Sequence, residues 1–144
     1  MTLLRTLLQD LPVRYTLLLC IAIAAVLVYL PFLLVAYGRL QAGYDMAKPR
    51  AVFDKLPDYA KRATWAHQNS FESFMLFAAA ALMAVVTQVN SVWATAAAIG
   101  YIAARFLFSL FYILNIPILR SLMFGVGTLA IGTLMVQSLQ QAAP

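Results

Sequence analysis

Apolar residues fill four long stretches of this chain, and short polar segments separate them. The first stretch, 15–37, contains no charged residue. It exceeds the ~20 residues that an α-helix needs to cross ~30 Å of hydrocarbon. Pro31 lies within it and predicts a kink, because proline has no N–H and its ring crowds the preceding turn. Residues 38–57 carry Gly43, Pro49, Pro57 and most of the charge, and read as an aqueous loop. Asp58 is placed to cap a second helix over 59–89. That helix, at ~30 residues, is ~45 Å long, so its first two turns should project beyond the hydrocarbon. Asn90 and Ser91 predict a tight turn before a third span, 92–114. The turn Asn115-Ile116-Pro117 leads to a fourth span, 119–139, whose Gly125, Gly127 and Gly132 permit close helix approach. The pattern predicts an all-α fold, an integral membrane four-helix bundle forming one domain over 1–144.

Composition points the same way. The chain is 64% hydrophobic and 10% charged, against about 25% charged residues in a soluble domain. Its natural partner is the lipid bilayer. Six of the ten Lys and Arg residues (Arg39, Lys48, Arg50, Lys55, Lys61 and Arg62) lie in or beside the first polar segment. A nucleic-acid surface gathers such charge on one folded face. Here the charge flanks membrane spans and is interspersed with Asp45, Asp54 and Asp58, so it reads as a topology signal. The turn between spans 2 and 3 and the C-terminus hold no positive charge. The positive-inside rule then puts the two basic loops in the cytoplasm and both termini outside, with Arg5 and Arg14 counting against. The N-terminal segment resembles no cleaved signal, since Arg5, Asp10, Pro12 and Arg14 precede the first apolar run. Cys20 is the single cysteine and His67 the single histidine. No disulfide and no metal site is predicted. Neither a serine-histidine-acid arrangement nor a glycine-rich phosphate loop is present.

The candidate chemistry lies in polar residues inside the spans. Counting from the outer ends of spans 2 and 3 at 1.5 Å per residue, Glu72 lies ~25 Å deep, Asn69 ~30 Å, Arg105 ~20 Å and Tyr112 ~30 Å. Arg39 and Arg120 flank the matching ends of spans 1 and 4. Four separate stretches of sequence therefore put polar groups in one layer, the cytoplasmic third. Asn69, Glu72 and Trp65 share one side of their helix, and Arg105, Phe108 and Tyr112 share one side of theirs. His67 lies about 160° around the helix from Asn69 and should point elsewhere. Ionisable residues inside spans are costly and generally mark function. A purely structural ion pair between Glu72 and Arg105 is the competing reading.

The segment running from Arg62 through Trp65, His67, Asn69 and Glu72 to Phe74 resembles the MAPEG superfamily, the membrane-associated proteins in eicosanoid and glutathione metabolism. So do Arg105 with Tyr112, and the run Ile116-Pro117-Ile118-Leu119-Arg120-Ser121. Pro49-Arg50 fits bacterial-type members. The resemblance implies a homotrimer with glutathione as co-substrate, bound in clefts between protomers near the cytoplasmic face. It implies a transferase or peroxidase acting on lipophilic electrophiles or lipid hydroperoxides, and a bacterial inner (plasma) membrane. By the same resemblance, Arg39, Asn69, Glu72, Arg105, Tyr112 and Ser121 would bind glutathione, and Arg120 would activate its thiol. The chain differs from the family pattern at three positions, with Trp65 and Gln68 where arginines are common and Phe108 where Tyr or His is common. A non-catalytic member that holds a lipid or another anion in the cleft is the alternative.

Overall fold

The structure is a computed structural model, and it describes residues 12–43, 45, 47–48 and 50–144. Arg5, Asp10 and Pro49 lie outside the described residues. Four α-helices make up most of the described residues: α1 (Val13–Gln41), α2 (Asp58–Val86), α3 (Val92–Ile113) and α4 (Pro117–Ala142). All four are long and apolar enough to cross a membrane. A single 3-10 turn, Phe53–Lys55, interrupts the segment between α1 and α2. The all-α membrane bundle expected from the apolar pattern is what the chain forms.

Helix ends differ from the sequence expectation for identifiable reasons. Pro57, not Asp58, occupies the N-cap of α2, and Asp58 lies in its first turn, where an acid complements the helix dipole. α2 stops at Val86, three residues before the predicted end, because Gln88 adopts a left-handed backbone (φ 57°). The Val89 N–H then donates to the Ala84 carbonyl at 2.9 Å and the Gln88 N–H to that of Val85. That pair satisfies carbonyls that a helix end leaves open. Asn115 (φ 59°) ends α3 in the same way, with the Ile116 N–H donating to Phe111. Ser91 caps α3, its hydroxyl accepting from the Trp93 N–H at 3.2 Å. Pro117 starts α4 at a position that needs no N–H. Pro31 sits buried within α1, which runs on past it as one helix.

α2 and α3 pack against each other at the centre, and α1 and α4 fill the grooves on either side of that pair. The main core gathers Leu17 and Cys20 from α1, Phe77 from α2, Tyr101 from α3 and Leu134 from α4. Phe77 and Tyr101 stack face to face, with centroids 3.8 Å apart. A smaller cluster of Val52, Leu56 and Ala60 holds the loop onto the start of α2. Large apolar side chains cover the outside: Val26, Val86, Leu129 and Ile118 are 70–83% exposed. Water does not tolerate such a surface, and hydrocarbon does.

Small residues let the central helices approach. Ala60, Ala63 and Ala66 of α2 and Ala94 and Ala98 of α3 are fully buried. α1 and α2 come close at Gly38 of α1, where an added Cβ would lie 2.5 Å from the Ala60 Cβ. Gly38→Ala gains up to about 1 kcal/mol of helix propensity, but forcing the two backbones apart costs about 1–3 kcal/mol. Crowding wins at this distance. Gly38→Ala therefore lowers the thermal unfolding midpoint in detergent, and Gly38→Val lowers it further; an unchanged midpoint for both would show that α1 and α2 do not meet here.

Candidate functional site

The polar layer resolves into two clusters on either side of α2. The first is an unbroken string along α3. The Arg105 Nη2 donates to Asn69 Oδ1 at 3.1 Å and to Ser70 Oγ at 3.2 Å. Its guanidinium lies over the Phe108 ring, 4.2 Å from the centroid. Phe108 meets Tyr112 edge to face at 5.5 Å. The Arg120 guanidinium sits over the Tyr112 ring at 4.5 Å. Asn69, Arg105, Phe108, Tyr112 and Arg120 thus form one contiguous set from α2, α3 and α4. The α3 spacing of three and four residues produces it, by putting three side chains on one stripe.

Within this set Arg105 is 4% exposed, with its charge held by neutral groups. Behind it lies a cavity of about 10 Å³, bordered by Leu27, Ser70 and Tyr101, the size of one water. The Arg105 Nε has no hydrogen-bond partner. Ser70 Oγ also lies 3.4 Å from Ser109 Oγ, and Tyr101 reaches Ser73 at 3.1 Å. These hydroxyls extend the polar core into the middle of the bundle. Nothing in the sequence flagged them, because single serines in apolar helices carry no periodic signal.

The second cluster faces the other way, between α1, the loop and α2. A cavity of about 630 Å³ opens there, bordered by Arg39, Arg50, Trp65, His67 and Gln68 among others. The charged side chains on its wall are both cationic. Phe53 lies 6.0 Å from Trp65 and supplies apolar surface. The His67 Nδ1 lies 2.7 Å from the Val28 carbonyl. A carbonyl only accepts, so Nδ1 carries the proton in this contact. Tyr29 and Phe32 of α1 flank the imidazole ring. His67 points away from Asn69, as its helical angle required, and joins the Arg39 cavity; from sequence it had been assigned to no site.

Glu72 does not pair with Arg105. It is exposed on the outer face of α2, with no ion-pair partner among the described residues. Ser121 is exposed beside Arg120. Arg62, one turn before Trp65, is engaged elsewhere: its Nε donates to the Ile113 carbonyl at 2.9 Å and caps the end of α3. No group of three or more metal-ligating side chains occurs among the described residues.

Four helices long and apolar enough to cross a membrane, with arginines in a polar layer toward one end of the bundle, define a multi-pass integral membrane protein. The chain belongs to the MAPEG family, whose sequence profile matches residues 16–140. No curated protein and no solved structure gives a significant match.

Arg62→Ala removes a charge-assisted bond to an otherwise open helix-end carbonyl. Such a bond is worth about 1–2 kcal/mol when partly buried. The variant unfolds at a lower temperature, and Arg62→Lys recovers part of the loss; equal midpoints for wild type and Arg62→Ala would remove the cap from the account.

Proposed function

We propose that this protein is a glutathione-dependent transferase or peroxidase that acts on lipophilic electrophiles or lipid hydroperoxides within the membrane. The supporting observation is that guanidinium groups stand in both clusters. Arg39 and Arg50 border the cavity between α1, the loop and α2, and Arg120 caps a string of aromatic rings. Glutathione is anionic, and guanidinium groups match its carboxylates in charge and geometry.

In this reading Asn69, Glu72, Tyr112 and Ser121 bind glutathione with Arg39, Arg105 supports the site from behind Asn69, and Arg120 stabilises the thiolate. Arg120 occupies the first turn of α4, where the helix dipole adds positive potential. A neighbouring cation favours thiolate over thiol, and each unit of lowered thiol pKa stabilises the anion by about 1.4 kcal/mol. With an electrophile, the thiolate sulfur bonds to carbon and displaces a leaving group, or adds across an activated double bond whose other carbon takes the proton. With a hydroperoxide, the sulfur attacks the outer oxygen, the O–O bond breaks and the alcohol leaves. A second glutathione then reduces the resulting sulfenic acid to give glutathione disulfide and water.

The two clusters suit a homotrimer. α1 and α4 lie on opposite sides of the α2–α3 pair, so Arg39 and Arg120 of one protomer face different edges. Glu72 is exposed at membrane depth, where a carboxylate facing lipid is costly. A neighbouring copy would both shield it and bring the two clusters into one cleft. The charge of the loops supports a cytoplasmic position for this layer, with both termini outside; the bacterial plasma membrane rests on the likeness of Pro49-Arg50 to bacterial-type members.

Trp65 and Gln68 favour a second reading, a non-catalytic protein that holds a lipid or other anion in the same cleft. Trp65 is 44% exposed and presents an apolar wall where a carboxylate partner is common in the family. Calorimetry with glutathione on the purified protein separates the two. Millimolar or tighter binding is expected, together with a loss of about tenfold or more in glutathione-dependent turnover for Arg120→Ala. Absence of heat at millimolar glutathione rejects the enzyme reading, and undiminished turnover in Arg120→Ala removes that arginine from the mechanism.

A further inference from the structure

Arg105 is enclosed by its own chain. Asn69 and Ser70 take its Nη2 hydrogens, Phe108 covers its face and Gly127 of α4 lies against its stem. At 4% exposure it has little surface left for a ligand. Asn69, by contrast, is half-buried and reaches the edge of the bundle.

The chemistry of the contact fixes which way Asn69 faces. A guanidinium has donors and no acceptor, whereas an amide side chain carries an acceptor oxygen and a donor NH₂. Only the Asn69 oxygen can face Arg105, so its NH₂ is turned away, toward the outside of the string. A neutral or apolar residue at 105 would leave the amide free to present either end. Ser70 accepts from Arg105 at 3.2 Å and lies 3.4 Å from Ser109 Oγ, where either hydroxyl can donate.

We propose that Arg105 is a positioning residue, which locks the Asn69 amide with its two N–H bonds directed at the ligand. This deepens the glutathione reading and rests on it. The lock specifies the ligand group beside Asn69 as an acceptor, a carboxylate or a peptide carbonyl, and disfavours a donor there. Arg105 acts through Asn69 and does not touch the ligand.

Two readouts on the full-length protein in lipid nanodiscs test this. The chain has three asparagines, Asn69, Asn90 and Asn115, so side-chain amide resonances of a ¹³C,¹⁵N-asparagine sample are few, and Asn69→Asp identifies the one of interest. Without ligand, Arg105→Leu should shift the Asn69 carboxamide carbon and nitrogen resonances and leave the other two in place. In glutathione titrations, Arg105→Leu and Asn69→Asp should each weaken binding about tenfold, raising KM while kcat changes little. Arg105→Lys, which keeps a donor, should recover part of the affinity; it also carries the test if the leucine variant does not fold. Unmoved Asn69 resonances in these variants overturn the proposal whether or not glutathione binds. Moved resonances with unchanged affinity overturn it too. A wild-type protein whose resonances ignore millimolar glutathione instead defeats the enzyme reading, and the ligand-free spectra still decide whether Arg105 orients Asn69.

Discussion

The Arg105 guanidinium lies among four apolar helices, held by an amide, a hydroxyl and an aromatic face. Taking a charge out of water is expensive, and inside a membrane span the expense is large enough to shape everything nearby. The partners come from different helices, so satisfying this one group sets the relative height of α2 and α3. Asn69 and Arg105 bond directly, which joins residues ~26 Å from the end of α2 and ~20 Å from the start of α3. The long arginine side chain spans part of that difference of about one turn and selects one offset of the two helices. The apolar contacts alone would accept several such offsets, since lipid and leucine are equally apolar.

From that anchor the rest of the polar layer is laid out by helical geometry. Phe108 and Tyr112 continue the stripe that begins at Arg105, and they carry its cationic character to Arg120 at the start of α4. Arg62 closes the far end of α3 by binding the Ile113 carbonyl, which steadies the turn from which Arg120 projects. On the other side of α2, His67 ties to α1 through the Val28 carbonyl and Arg39 meets the Phe32 ring at 5.7 Å. α2 thus serves as the wall between two cationic clusters, with its alanines giving the close packing and its polar side chains dividing between the two faces.

That division has a consequence for assembly. Within one protomer the clusters point to different edges of the bundle, and Glu72 is exposed on the α2 surface. A membrane protein of the MAPEG family with charge on its outer face at this depth is better served by a neighbouring subunit than by lipid. In the proposed trimer, the surface that is unfavourable to leave bare is also the one on which the shared cleft would form.

The sequence by itself determined the four spans, their order and the level at which polar groups gather, because 3.6-residue periodicity and a 30 Å hydrocarbon leave few alternatives. Span ends were legible to within a few residues. The early stop of α2 was not, since a glutamine in the left-handed region gives no signal in composition. Among site residues, the stripe of Arg105, Phe108 and Tyr112 and its alignment with Asn69 could be read from spacing. Which partner Arg105 would take could not. Glu72 and Asn69 are three residues apart and equally near on paper, and only the packing of α2 against α3 turned the amide inward and the carboxylate out. The tertiary structure likewise decided that His67 would join Arg39, and that single serines would line the core. Partner choice depends on how whole helices rotate about their axes, and that rotation is set by the sum of contacts across the bundle, not by any one segment of chain.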